Sequence, residues 1–355
     1  MSTFDAVDPG PRPYRVVQWA TGAMGRCVIR GVLERPDMEL VGAWAHTPAK
    51  AGVDAGTLAG RDPVGVAATG DVQDILDLDA DCVVYAPTPA LDRYAELDLI
   101  CSLLASGKNL IATNGYVYPQ AHGPLFAGEL EQACKRGGVS VHGSGVSSGF
   151  MADVMPLVLS RLSRGITHVY VRECTDFSRH PSWQMVHHLI GFGRDEDAYL
   201  RSLRPVRTAM WALFTESLHL IATGLGVDLD EIDMDVEHRL ARADLAIAAG
   251  PVPRGTVAAT RWTFSGLAAG RPVITIEIVH RADASRTSDE WGRPGYSLRV
   301  DGRPSVTLAA DENWVSDPIA AAAAHVLNSV PVVCAAPPGI RTHLDLPVVC
   351  GRMRV

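Results

Sequence analysis

The sequence predicts an α/β protein in which a doubly wound parallel sheet is joined to a second α+β domain with a mostly antiparallel or mixed sheet. Three observations carry this reading. Short β-branched runs alternate with helical periodicity up to residue 143, as a parallel sheet with crossover helices demands. After residue 150 long strand-like runs follow one another with no helix between the later ones. A chain of 355 residues also exceeds what one core usually serves, so two domains are expected.

The first element is Tyr14-Arg-Val-Val-Gln-Trp-Ala-Thr-Gly-Ala-Met-Gly-Arg26. Val16 and Val17 supply a buried strand, residues 21–25 a sharp turn, and Cys27, Val28, Ile29, Val32 and Leu33 a helical apolar stripe that Pro36 ends. A glycine turn that opens a helix is an anion site, because free N–H groups and the helix dipole both face it. Gly22 lets the backbone approach a pyrophosphate, and Gly25 lets the helix pack closely on the strand. Ala20 stands where the usual Gly-x-Gly-x-x-Gly fingerprint has its first glycine. Ala20, Thr21, Gly22, Ala23, Met24 and Gly25 are therefore expected to hold a dinucleotide, which makes the first domain a Rossmann domain.

The second strand, residues 39–45, ends in His46-Thr-Pro-Ala-Lys50 and carries no carboxylate there for a ribose 2′-OH. His46, Thr47 and Lys50 offer donors and positive charge instead, so NADP(H) is preferred, with NAD(H) possible; the alternative is that His46 and Lys50 are ordinary loop residues. A third strand, residues 81–86, ends in Pro87-Thr-Pro89, which puts Ala86, Pro87 and Thr88 beside the nicotinamide half, since ligands sit outside the carboxyl ends of such strands. A helix over residues 92–106, a strand over 109–113 ending in Asn114-Gly-Tyr116, a helix over 123–136 and a strand over 139–142 complete the pattern.

Beyond it the reading is a helix at 150–163, strands at 166–175, 232–243, 256–267, 273–281, 296–300 and 304–308, and a helix at 204–223. Asp301-Gly302 is read as a type I′ hairpin turn. Asp317 caps a last helix with Pro318 at its first position, running to Leu327. The expected domains are 1–148 for the dinucleotide, 149–316 for substrate and dimerisation, and a tail, 317–355, that returns to the first.

Composition narrows the function. At 47% hydrophobic, 20% charged and net charge −8, the chain lacks the basic patches of a nucleic-acid protein. Its apolar runs are too short to cross a bilayer, and residues 1–13 are polar without a signal peptide's apolar centre, so a cytoplasmic protein is expected. Seven scattered cysteines with no Cys-x-x-Cys pair suit reduced thiols and no metal site.

Three segments together, Ala20-Thr-Gly-Ala-Met-Gly25, Gly143-Ser-Gly-Val-Ser-Ser-Gly-Phe150 and the tail Val330-Pro…Ala-Pro-Pro-Gly339…Asp345-Leu-Pro347, resemble the dihydrodipicolinate-reductase-like oxidoreductases. Within that family the chain looks nearest to 2,4-diaminopentanoate dehydrogenase and the native amine dehydrogenases. The resemblance implies hydride transfer between NAD(P)H and a C=O or C=N carbon at a domain cleft, usually in a homodimer. The paired-histidine and lysine motif of true dihydrodipicolinate reductases is not matched by His187-His188. The amine dehydrogenases carry a glutamate just after the strand that matches residues 109–113; here Asn114 and Gly115 stand there. An amide is no general base, so this departure from the family leads to the expectation that amination is absent or very weak.

Carbonyl reduction needs a proton donor near the oxygen. Tyr116 and Asp176 are the candidates, with packing as the alternative for Tyr116 and turn capping for Asp176, while Asn114, which with Gly115 is expected to border the cofactor, would hold the nicotinamide or a substrate oxygen by its amide. His180, His187 and His188 follow a strand where a lid would form, and a structural role is their alternative. Ser147, Ser148, Phe150, Phe177, Trp183, Asn313 and Trp314 are expected to line an apolar pocket. The function read from these residues is an NAD(P)H-dependent oxidoreductase acting on a small hydrophobic ketone, imine, alcohol or amine; the rival is a non-catalytic dinucleotide sensor.

Overall fold

The structure, a computed structural model, describes residues 12–88, 93–287, 290–315 and 317–353. Most of the polar N-terminal stretch, Pro89 and Asp92 at the expected helix start lie outside them. The chain divides into two compact units, Met1–Phe150 with Asp317–Val355, and Met151–Ser316.

The first unit follows the order β1 (Tyr14–Trp19), α1 (Ala23–Leu33), β2 (Met38–Trp44), α2 (Ala55–Leu58), β3 (Ala68–Thr69), α3 (Val72–Asp77), β4 (Cys82–Tyr85), α4 (Leu97–Ala105), β5 (Asn109–Ala112), α5 (Pro124–Gly137) and β6 (Ser140–Gly143). All neighbours in its sheet are parallel, in the order β6-β5-β4-β1-β2-β3. The order reverses between β4 and β1, which is where such sheets bind ligands. Helices cover both faces, and this is why β4 and β5 are buried at every position and read as unbroken apolar runs.

The second unit contains α6 (Val154–Ser160), β7 (Arg164–Asp176), α7 (Glu196–Leu225), β8 (Glu231–Leu240), β9 (Leu245–Ile247), β10 (Gly250–Val252), β11 (Val257–Ala268), β12 (Arg271–Arg281), β13 (Gly295–Arg303) and β14 (Val306–Asp311). Its main sheet is mixed, ordered β14-β13-β7-β12-β11-β8, with β7 and β12 parallel and the other pairs antiparallel. Register sorts its side chains into two faces. Val171, Ile276, Phe264 and Met234 lie side by side on one; Arg172, Glu277, Thr263 and Asp235 lie on the other. Helix α7 covers the apolar face, with the Phe214 ring stacked on Phe264 at 4.6 Å.

Three expectations are corrected. Helix α7 starts eight residues earlier than read, at Glu196, because Asp195 caps it through Ala198 N and Pro205 is tolerated inside. Helix α6 is shorter than the 150–163 reading. Asp301-Gly302 is not the hairpin turn: neither residue has the positive φ that a type I′ turn requires, and β13 runs on through them along β7 to Arg303.

The chain then re-enters the first unit through α8 (Pro318–Cys334) and β15 (Gly339–Ile340), which pairs with β6. Asp317 Oδ1 accepts from the N–H groups of Ile319 and Ala320, as its position before Pro318 predicts, and the helix runs past Leu327 to Cys334. Ala323, Val326, Leu327, Val330 and Val333 form the helical stripe that shares a core with Val28, Ile29 and Val32 of α1.

This return buries three imidazoles together. His142 on β6 lies 4.7 Å from His343, and His343 lies 5.9 Å from His325 of α8, centroid to centroid. His142 Nδ1 donates to the Arg341 carbonyl at 2.7 Å. Burial pushes all three pKa values down, that of His142 to about 4, against the opposing hydrogen bonds to the carbonyls of Arg341 for His142, Gly145 for His325 and Gly149 for His343. The folded values lie below the unfolded one, so the neutral rings stabilise the fold fully above pH 6.5 and that contribution disappears as pH falls towards 4. His142 alone is expected to cost about 3 kcal/mol across that window. Urea midpoints measured from pH 7 to 4 should fall in the native protein and fall less in His142→Gln; parallel curves would refute this.

Candidate functional site

The turn after β1 is built for close approach. Ala20 has φ 72°, the left-handed conformation that glycine supplies in the common fingerprint, so here alanine bears its strain. Gln18 Nε2 braces it by donating to the carbonyls of Trp19 and Ala20, each at 2.8 Å. A Cβ on Gly25 would overlap Ala20 O, so the helix meets the strand at glycine contact distance. A Cβ on Gly22 would meet nothing within 4 Å, which leaves the approach to the loop open. Helix α1 begins at Gly22 with no side-chain cap and no acidic residue in its first turn. Uncapped N–H groups, the dipole and open space fit a pyrophosphate.

Lys50 reaches this loop, its Nζ donating to Thr21 O at 3.0 Å. Thr47 is exposed ahead of the short turn Pro48–Lys50, and the exposed His46 ring lies 6.0 Å from that of Trp44. Trp44 itself stacks on Trp19 at 4.4 Å. The three expected 2′-phosphate ligands thus follow the end of β2, and among the described residues Lys50 is the one of them shown bonded to the turn after β1.

At the ends of β4 and β5 the residues are differently placed. Ala86 is buried and donates its N–H to Trp19 O at 3.1 Å, Pro87 is half-buried and Thr88 is exposed. Gly115 has φ 110° and Tyr116 φ 64°, a tight reversal lying against Gly143, where any Cβ would strike residues 115–117. Tyr116 is fully buried, its ring 6.1 Å from Phe126 in the core beneath α4 and α5. Burial favours the packing reading of this tyrosine over the proton donor.

Asn114 is 4% exposed, and its Nδ2 donates to Glu96 Oε2 at 3.4 Å. Tyr85, the last residue of β4, donates its hydroxyl to Glu96 Oε1 at 3.1 Å. Asn114 and Gly115 stand at the end of β5 as the sequence has them, and Glu96, half-buried at the end of the turn Arg93–Glu96, brings a carboxylate to the Asn114 amide from the preceding connection. Nothing in its spacing from β5 announces this.

The pocket candidates fall in both units. Ser148 is buried, and a Cβ on Gly145 or Gly149 would overlap backbone of the loop that carries Ser147 and Ser148. Phe150 lies edge-on to His325 at 5.2 Å. In the second unit Asp176 Oδ1 accepts from Ser178 N at 2.8 Å, the capping role. Phe177 is 5.5 Å from His180 and 5.2 Å from His280, a histidine the sequence reading missed. Trp183 is exposed and 5.8 Å from His187, whose Nδ1 donates to Phe192 O; His188 is exposed. Asn313 is exposed, its N–H donating to Asp311, and Trp314 lies 6.2 Å from Tyr296. Among the described residues no helix is long and apolar enough to cross a membrane.

Residues 150–354 match the family model of the 2,4-diaminopentanoate dehydrogenase C-terminal domain, and residues 16–111 that of the dihydrodipicolinate reductase N-terminus. The chain is 30% identical to an amine dehydrogenase of Streptomyces virginiae, over 94% of this chain and 96% of that one. The chain belongs to the 2,4-diaminopentanoate dehydrogenase family of dihydrodipicolinate-reductase-like proteins. It is also 23% identical to the 2,4-diaminopentanoate dehydrogenase of Acetoanaerobium sticklandii, over 94% and 93% of the two chains. The fold matches an amine dehydrogenase structure from Mycobacterium smegmatis with a TM-score of 0.78 at 21% identity, covering 96% and 97%. As a member of this family the protein is an NAD(P)-dependent oxidoreductase.

Proposed function

We propose that the protein interconverts a small hydrophobic ketone and its amine, with NADP(H) preferred over NAD(H), and that Glu96 handles the nitrogen's protons. The observation that carries this reading is the carboxylate held by Tyr85 and Asn114 at the carboxyl ends of β4 and β5. A bound nicotinamide supplies or accepts the hydride. In the reductive direction ketone, ammonium and NADPH give amine, NADP⁺ and water: the C–N bond forms, the C–O bond breaks, and the former carbonyl carbon is reduced. Glu96 takes a proton from ammonium, freeing the nitrogen lone pair, and returns one to the departing hydroxyl. The names of the two curated relatives support amine chemistry.

The test is cofactor oxidation with a panel of neutral ketones, with and without ammonium. Turnover that requires ammonium is expected. Equal turnover without it would replace this reading by carbonyl reduction, and none under either condition would favour the sensor.

The cofactor preference rests on Lys50, because a 2′-phosphate beside its ammonium gains a charge-assisted bond that a 2′-OH does not. Calorimetric titration should give tighter binding of NADPH than of NADH, with Lys50→Ala narrowing the gap. Equal affinities in the native protein would refute the preference.

A further inference from the structure

The loop 143–150 is fastened from the C-terminal end of the chain. It leaves the carboxyl end of β6, next to β5 in the sheet, and ligands of such sheets bind outside those ends. Gly143 lies so close to the reversal after β5 that any Cβ would overlap residues 115–117, and a Cβ on Gly145 or Gly149 would overlap backbone of the loop itself. The Phe150 N–H donates to Val146 O at 3.2 Å, which closes the loop on itself. Two of its carbonyls, those of Gly145 and Gly149, are bonded instead by side chains from outside it.

Both side chains are imidazoles of the returning segment. His325 of α8 donates from Nδ1 to Gly145 O at 2.9 Å, with Ser144 Oγ 3.0 Å from the same nitrogen. His343 bonds the Gly149 carbonyl, and it does so through Nδ1, because its Nε2 is buried without a partner among the described residues. Each ring is itself held. Asp345 closes the turn that carries His343, its Oδ2 accepting from the Thr342 N–H at 2.8 Å and from the Thr342 hydroxyl at 2.7 Å. Ahead of that turn Arg341 is anchored twice to β6: its N–H donates to Val141 O at 2.8 Å, and its carbonyl accepts from His142. Phe150 stands edge-on to His325 at 5.2 Å. Strand β6 thus holds the tail, and the tail holds the loop that leaves β6.

We propose that His325 and His343 are positioning residues: by holding the loop 143–150 at its two glycine carbonyls they fix Ser147 and Ser148 where the loop meets the substrate. A neutral imidazole suits this task. It has a single N–H, and burial keeps both rings neutral at pH 7, so each gives that N–H to a loop carbonyl and brings no charge beside an apolar ligand. His325 reaches Gly145 across 180 residues of sequence, so the loop takes its shape from a segment remote from the chemistry. A displacement of about 1 Å in such a support is enough to cost a large factor in binding or rate. The inference rests on the reading above that the substrate is a hydrophobic ketone or its amine, and adds what sets the loop that receives it.

The experiment compares native protein with His325→Asn, whose amide N–H takes the place of Nδ1–H, and His325→Gln, whose amide reaches past it to the place of Nε2; His343→Asn and His343→Gln repeat the pair. Hydrogen exchange of the amides of residues 144–150 is measured beside kcat and KM for cyclohexanone with ammonium and NADPH. Each Gln variant should speed exchange in 144–150 at least tenfold while β4 and β5 stay protected, and raise the ketone KM at least fivefold with kcat within threefold. Each Asn variant should stay within threefold of the native protein in all of these. A residue that only supported the fold would behave differently, since a smaller active fraction lowers kcat at unchanged KM. That pattern, unchanged exchange in both Gln variants, or Asn variants as impaired as Gln variants would each overturn the positioning role. If the native protein turns over no ketone, the functional reading fails and exchange alone decides the brace: it stands if the Gln variants loosen 144–150 and the Asn variants do not, and falls otherwise. If turnover requires ammonium but both Gln variants keep the native KM, the function stands and the positioning role fails.

Discussion

Glu96→Gln is expected to lower ammonium-dependent turnover by about 10²–10⁴-fold, the range that a positioned acid or base contributes. The change is isosteric, and the amide oxygen can still accept from the Tyr85 hydroxyl, so folding and NADPH affinity should be retained. What disappears is the capacity to take a proton from ammonium. The acidic limb of the pH profile of kcat/KM should vanish with it, because that limb reports protonation of the base in the free enzyme. A fall of less than threefold with the limb intact would assign the proton transfer to another group. Asn114→Ala serves as the milder companion: it removes the amide that orients Oε2 but leaves the carboxylate, so kcat should drop while the acidic limb persists at a shifted pH.

The second large effect separates two glycines that a motif treats alike. Gly25→Ala places a methyl group against Ala20 O, and neither the strand end nor the helix start can give, since Gln18 already pins that carbonyl. A cost of about 1–3 kcal/mol is expected, the usual penalty of overpacking, with a lower thermal midpoint and weaker NADPH binding. Gly22→Ala has open space and an ordinary φ of −73°, so stability should stay within about 0.5 kcal/mol of the native protein. Its methyl group instead occupies the approach to the uncapped N–H groups of α1. NADPH binding should fall at least tenfold by calorimetry with no change in midpoint. If Gly22→Ala binds NADPH as the native protein does, the pyrophosphate does not lie over this turn.

Local signals settled much of this protein before any contact was known. The alternation of strand and helix, the cap of Asp317 before Pro318, the end of α5 at Gly137-Gly138 and the turn at Gly22 each depend on a few neighbouring residues, and each is legible because backbone preference acts over that range. Period-two alternation along β11 and β12 likewise separates the apolar from the polar face. Where two local signals competed, the tertiary structure chose. Asp301-Gly302 has the composition of a tight turn, but pairing with β7 keeps it extended. Ala20 adopts a glycine's φ because the Gln18 amide and the neighbouring strand hold it there.

The chemistry lay further from the sequence. Glu96 is 18 residues from Asn114, and only the packing of the connection after β4 against the end of β5 brings the pair together. Asn114 alone suggests a missing base, while its contact with a carboxylate from the β4 connection restores one. Tyr116 looks like a donor at a strand end, but the reversal at Gly115 turns it into the core. Hydrophobic period and capping are short-range and so were determined by the sequence itself. Which polar groups meet, and which are left buried without partners, depends on long-range register and burial, and that only the folded chain decided.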